Sequence, residues 1–255
     1  MPAMCLIAFY YRPTAATPLI VAANRDEFFA RPAAALAQWP DQPIIGGRDL
    51  EAGGSWLAVG RNGRFAAVTN WRSPGQPPAA RSRGELISDF LTSTQSSSEF
   101  LAARLARGSQ YAGFNLLLYD GSELCYGNNI QARAESLNAG CYALSNAELD
   151  SRWPKVRTAR LQLATLVESG QHSQATLLEL LADPATYADA ELPATGVPLA
   201  WERQLSAAFI RRDDYGTRAM SALQLHGNGG VEFSERSFDN RGLIGESHLE
   251  FATQD

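Results

Sequence analysis

Lysine is almost missing from these 255 residues: Lys155 is the single one, and arginine supplies the rest of the positive charge. With 22 Lys and Arg against 27 Asp and Glu, the net charge is -5. That argues against a nucleic-acid partner, because a sequence-independent grip needs a basic surplus over the binding face. Cysteine is scarce and odd in number. Cys5, Cys125 and Cys141 form no C-x-x-C pair, which speaks against a disulfide framework and a zinc site and for a reducing compartment. His172, His226 and His248 stand apart with no metal-ligand spacing. Long apolar runs are absent as well. The opening segment from Met1 to Tyr11 holds an apolar run only over Cys5 to Tyr11, with no basic residue before it and no cleavage pattern after it. No stretch is long enough to span a bilayer, so the expected location is the cytoplasm, with no integral membrane contact.

What is present suits one globular domain over 1–255: 45% hydrophobic and 19% charged residues. Cys5 to Tyr11 and Pro18 to Ala23 read as a hairpin that ends at Asn24, and Ser55 to Gly60 with Arg64 to Asn70 flank an Asn-Gly turn. The Pro-, Ser- and Gly-rich Arg72 to Arg83 reads as a surface loop. Helices are expected over Gly84 to Thr92 and over Phe100 to Arg107, the latter behind a Ser96/Glu99 capping box. Gly113 to Tyr119, Glu123 to Asn128 and Cys141 to Ser145 read as strands. Three more helices are expected from Pro154 to Ser169, Ser173 to Ala182 and Glu202 to Ile210. Strands return over Thr217 to His226, Val231 to Phe238 and Leu243 to Phe251. Hairpins separated by helix pairs predict an α+β fold, a four-layer αββα sandwich of antiparallel sheets.

The chemistry gathers at Cys5 and the run Asn24, Arg25, Asp26, Glu27. A thiol at the start of a near-terminal strand can serve amide cleavage if the chain's own amine, with a pKa of roughly 8, takes its proton. Asp26 is placed to orient such an amine. The alternative is structural: a cysteine on an apolar strand is a small buried hydrophobe, and Asn24 to Glu27 can form a turn held by Asx bonds and an Arg-carboxylate pair. Arg61, Arg64, Arg72, Arg81 and Arg83 fall in a stretch without one acid, able to receive a carboxylate or phosphate tail or to form a solvated loop.

The motifs Met4-Cys5, Asn24-Arg25-Asp26-Glu27, Gly46-Gly47-Arg48-Asp49, Gly53-Gly54-Ser55-Trp56, Thr69-Asn70-Trp71-Arg72, Arg81-Ser82-Arg83-Gly84, Leu144-Ser145-Asn146, Trp153-Pro154-Lys155 and Tyr215-Gly216-Thr217-Arg218 occur in this order. In them the chain resembles the NRDE family, also called the transport and Golgi organisation 2 family. That family is similar to the N-terminal-nucleophile hydrolases of the choloylglycine hydrolase and penicillin acylase branch. The resemblance implies Cys5 as nucleophile, Asp26 as partner of the amine, Asn70 and Asn146 as supports of the amine and the oxyanion, and Arg218 as a late-strand arginine of the site. Asn24, Arg25, Glu27 and Arg72 would bind ligand. Ala23 holds the place where the branch keeps its early arginine, and removal of Met1 would expose Pro2, so a free amine on Cys5 requires translation from Met4 or cleavage before Cys5. Two functions follow as expectations: a cysteine-dependent hydrolase or acyltransferase of linear amides or thioesters that needs no cofactor, or a carrier of haem or acyl-coenzyme A. The sequence offers no axial haem ligand of its own.

Overall fold

The computed structural model describes residues 4–75 and 79–254. The expectations that touch Met1 and Pro2, and the middle of the Arg72 to Arg83 loop, lie outside them. Thirteen strands in the described residues form two antiparallel sheets. The first sheet has the order β10 (Gly140–Leu144), β1 (Met4–Tyr11), β2 (Leu19–Phe28), β11 (Tyr215–Leu225), β12 (Gly230–Asp239), β13 (Gly242–Ala252). The second has β3 (Ala33–Gln38), β4 (Ile44–Asp49), β5 (Leu57–Gly60), β6 (Phe65–Asn70), β7 (Phe114–Tyr119), β8 (Leu124–Asn128), β9 (Arg133–Ser136).

Alternation along the strands fixes which sheet face meets what. Ile7, Phe9, Tyr11, Val21 and Ala23 face the second sheet and interlock with Val59, Ala67 and Leu117 in the central core. Leu6, Ala8, Ile20 and Ala22 face outward onto helices α3 (Pro154–Glu168) and α4 (Gln174–Glu179). On the far side, α1 (Glu85–Leu91) and α2 (Ser97–Leu105) bury Phe90 and Phe100 against Ala66, Leu116 and Leu118 of the second sheet. The arrangement is therefore helix, sheet, sheet, helix, the four layers predicted from the hairpin and helix pattern.

Local chemistry explains most of the element boundaries. Ser96 accepts from the Glu99 amide while Glu99 reaches back to the Ser96 amide, the capping box read from sequence. Gly63 takes a φ of 78° in the β5–β6 turn, which an Asn-Gly pair supplies at no steric cost. Corrections fall where the pattern is weak. Strands β3, β4 and β9 are missing from the sequence expectation: β3 is alanine-rich, β4 carries Gly46-Gly47, and β9 is an exposed polar edge. The helix expected over Glu202 to Ile210 is α5 (Leu199–Leu205), started by Pro198, after which the Ile210 amide turns to the Thr217 hydroxyl. Helix α4 stops at Glu179 rather than Ala182.

The most consequential correction concerns β2. It does not end at Ala23 but runs to Phe28, paired with β1 on one side and β11 on the other. Asn24 to Glu27 are thus ladder residues and not a strand-end turn, so their side chains alternate between the two faces of the sheet.

Candidate functional site around Cys5

A cavity of about 970 Å³ opens between the two sheets beside Cys5, at the upper end of the range for small-molecule sites. Its wall includes Cys5, Arg25, Glu27, Asn70, Arg72 and Arg218 among the residues singled out from sequence. In the described wall there are seven arginines (25, 31, 48, 72, 81, 83, 218) and four acids (Glu27, Asp49, Glu51, Glu235). Arg48, Arg72 and Arg81 pair with Asp41, Glu202 and Glu85 outside that wall, which leaves Arg83 and Arg218 as the wall arginines without a carboxylate in ion-pair distance among the described residues. Arg61 and Arg64, from the same acid-free stretch as Arg72, Arg81 and Arg83, point elsewhere: Arg61 stacks on Phe251 and Arg64 on Phe90.

The register decides which side chains meet. Cys5 lies opposite Arg25, and Met4 lies opposite Asp26. Cys5, Arg25 and Glu27 therefore face the cavity, while Met4, Asn24 and Asp26 face the helices. Asn24 donates to the carbonyls of Leu181 (2.9 Å) and Ala208 (2.8 Å), tying β2 to the helix layer rather than binding ligand. Asp26 accepts from the Thr217 hydroxyl at 2.6 Å, its second oxygen is buried without a partner, and it is not part of the cavity wall. The expectation that the thiol and this carboxylate share one pocket is corrected: they sit within electrostatic reach of each other on opposite faces of one sheet.

The backbone around Cys5 is held closely. Its N–H donates to Asn146 Oδ1 at 3.3 Å, its carbonyl accepts from the Ser145 hydroxyl at 2.8 Å, and Asn146 Nδ2 donates to the Asn70 carbonyl at 2.8 Å. Burial pushes the Cys5 thiol up to about 12, with the Asp26 charge acting in the same direction and Arg25 only partly opposing it. Such a thiol is a poor nucleophile.

Behind the sheet lies a second buried group that the sequence pattern did not expose as a unit. Lys155, the single lysine, is buried with its Nζ unpartnered, and burial lowers it to about 8 despite the Asp26 charge. Asp26 is raised to about 6 by burial, offset mainly by Lys155. Arg72 bridges the two faces: it lines the cavity, pairs with Glu202 at 2.6 Å and stacks over Trp153. Lys155 and Trp153 were visible only as a motif, because nothing in their spacing says that the start of α3 brings Lys155 within electrostatic reach of Asp26.

Arg218 reaches the cavity through a bulge. Thr217 pairs with Asp26 and Ala219 with Arg25, so Arg218 is the extra residue between two regular pairs. Arg83 is positioned by a backbone contact: a Cβ on Gly54 would run into the backbone of Gly84, and the Ser55 amide donates to the Gly84 carbonyl. Gly54→Ala should therefore push the 83–84 segment away and destabilise the fold by about 1–3 kcal/mol, read as a lower urea midpoint.

A four-layer sandwich with a cysteine-floored, arginine-walled cavity between its sheets is the class of protein these features define. The family model described as "Transport and Golgi organisation 2" matches residues 4–240, and the chain belongs to that family. It is 36% identical to the Transport and Golgi organization protein 2 homolog of Bos taurus over 92% of this chain and 93% of that protein. It is 34% identical to the Mus musculus homolog over the same shares. Among solved structures it is similar to a Caenorhabditis elegans N-acylethanolamine-hydrolyzing acid amidase ortholog, at 13% identity and a TM-score of 0.46 over 69% of this chain and 85% of that one. No residue role is carried across at that distance. Among the described residues, no group of three or more His, Cys, Asp or Glu could hold a metal ion, and no helix is long and apolar enough to cross a membrane.

Proposed function

We propose that this chain binds an anionic small molecule in the Cys5 cavity and, while Met4 remains attached, holds it without turnover. The observation that supports this most is the separation of groups across the sheet. The cavity has Cys5 but not Asp26, and the Cys5 nitrogen is a peptide N–H committed to Asn146. No free amine then stands beside the thiol, and the carboxylate on its face of β2, Glu27, is held by Arg25 and the Phe28 amide, while Arg83 and Arg218, without a carboxylate partner among the described residues, favour a ligand with acid groups. Haem, through its propionates, and acyl-coenzyme A, through its phosphates, are the ligands that family membership offers.

The experiment has two arms on the full chain. Titration with haemin followed at the Soret band, and with an acyl-coenzyme A by calorimetry, should give saturable binding of at least one. Iodoacetamide at pH 7.5 should label Cys5 at least a hundredfold more slowly in the native protein than in urea, since a rise from 9.0 to about 12 lowers the thiolate fraction by roughly a thousand. Labelling at the speed of a free thiol, or hydrolysis of a linear amide or thioester that Cys5→Ala abolishes, would overturn the carrier reading.

Those same results would favour the second reading, a cysteine hydrolase or acyltransferase. One observation speaks for it: Cys5 and Asn70 lie on the same cavity wall, and Asn146 Oδ1 sits 3.3 Å from the nitrogen that would become an amine if Met4 were removed. An intact mass of natively expressed protein decides which form exists.

A further inference from the structure

One part of the cavity wall carries more positive charge than its own acids neutralise. Glu27 and Asp49 stand among four guanidiniums. Arg25 Nη2 lies 3.6 Å from each of the two carboxylates, and Arg31 Nε lies 2.7 Å from Asp49 and 3.8 Å from Glu27. Among the described residues, Arg83 donates to the Gly113 carbonyl at 3.1 Å and Arg218 to the carbonyls of Phe28 and Arg31. Neither has a carboxylate within ion-pair distance among the described residues. All four arginines and Glu27 line the same cavity, and Glu27 acts electrostatically on Arg83 and Arg218 as well. Four positive and two negative charges leave a surplus of two. Glu51, which pairs with Arg31, is 60% exposed and screened by water.

The donors are not consumed internally. Arg25, with its side chain 8% exposed, has a buried Nη1 without a partner, and the Nε of Arg218 is buried and unpartnered as well. Burying guanidiniums without acceptors is costly, and burial pulls Arg83 and Arg218 below their ordinary range. Bidentate guanidinium forks match the oxygens of a phosphate. A single carboxylate would leave one charge unmatched, whereas a phosphate monoester, doubly charged above its second pKa of roughly 6, matches both.

We propose that Arg83 and Arg218, with Arg25 beneath them, form a clamp for a dianionic phosphate group carried by the cavity's ligand. The inference rests on the reading that the cavity holds a small molecule and specifies its chemical class: a phosphate monoester or diphosphate joined to an apolar body. Phe28, Ala34, Trp56, Val68 and Ile244 supply apolar wall for that body.

Trp56 and Trp71 line the cavity, so tryptophan fluorescence reports its occupancy. The full chain is titrated at pH 8 and fixed ionic strength with octyl phosphate, octanoate and octanol. Octyl phosphate should bind at least tenfold more tightly than octanoate, and at pH 5, where it has lost one charge, that preference should close. Arg83→Gln and Arg218→Gln should each reduce the preference for octyl phosphate over octanol at least tenfold. Arg83→Lys and Arg218→Lys, which keep the charge but lose the fork, should recover part of it and serve where a glutamine variant does not fold. Equal affinity for phosphate and carboxylate, or a preference unmoved by all four variants, overturns the clamp while leaving the cavity reading intact. If none of the three compounds, nor haemin or an acyl-coenzyme A, is bound, the cavity reading fails and the clamp with it.

Discussion

Glu202→Leu is expected to destabilise the fold by about 3–5 kcal/mol, because it strands Arg72 as a buried charge without its partner. The Arg72–Glu202 pair is 2.6 Å long, with side chains only 2% and 3% exposed. Glu202 also accepts from the Thr195 amide at 3.2 Å and from the Thr195 hydroxyl, so α5 is tied to its preceding loop through the same carboxylate. Two further Arg72 nitrogens are buried without partners, and burial holds its guanidinium below the ordinary range in spite of Glu202. The attraction therefore does not fully repay desolvation. It follows that the double variant Arg72→Met/Glu202→Leu should regain most of the loss, a recovery that two separate, additive urea curves would contradict.

Glu235→Gln should act oppositely, raising stability above neutral pH. Glu235 lies on β12 and lines the cavity; its Oε1 accepts from the Leu36 amide of β3 at 2.8 Å, which joins the two sheets. Burial raises its pKa from 4.5 to about 7, against the pull of the Leu36 amide. The folded state therefore favours the protonated acid. Its contribution is most favourable below pH 4.5 and is lost progressively as the pH rises from 4.5 to about 7. A rise of this size corresponds to a penalty on the order of 3 kcal/mol above pH 7. Glutamine keeps an oxygen for Leu36 and carries no charge, so the variant should be more stable than the parent at pH 8 and nearly equal to it at pH 4.5. Urea midpoints at the two pH values, compared between the two proteins, measure this difference of differences. Asp26, also raised, depresses stability in the same direction between pH 3.8 and about 6, and that slope remains in the variant.

The layers were legible in the sequence because each rests on a short-range signal. Asn62-Gly63, the Ser96/Glu99 box and Pro154 each act within a few residues, and hydrophobic spacing identified α1 and α3. The site was legible only as a set of residue names. Cys5, Arg25, Glu27, Asn70, Arg72 and Arg218 do share one cavity, but Asn24 and Asp26 do not, and the difference turns on β2 continuing five residues beyond Ala23. Polar residues in a row mimic a turn, and only pairing with β1 and β11 on both sides keeps them extended. Glu235 was missed for a related reason: an acid within an alternating strand reads as a solvent-facing residue until a second sheet covers it; Arg31, in the turn after β2, gave no local signal.

The single extra residue in β11 carries a consequence for how the wall is built. Were residue 218 absent, Thr217 and Ala219 would meet Asp26 and Arg25 on the same faces as they do now, in an uninterrupted ladder. The sheet gains no pairing from the insertion. What it delivers is a guanidinium sideways into the cavity wall, where it also closes onto the Phe28 and Arg31 carbonyls at the end of β2, so that one inserted residue serves both the cavity and the turn.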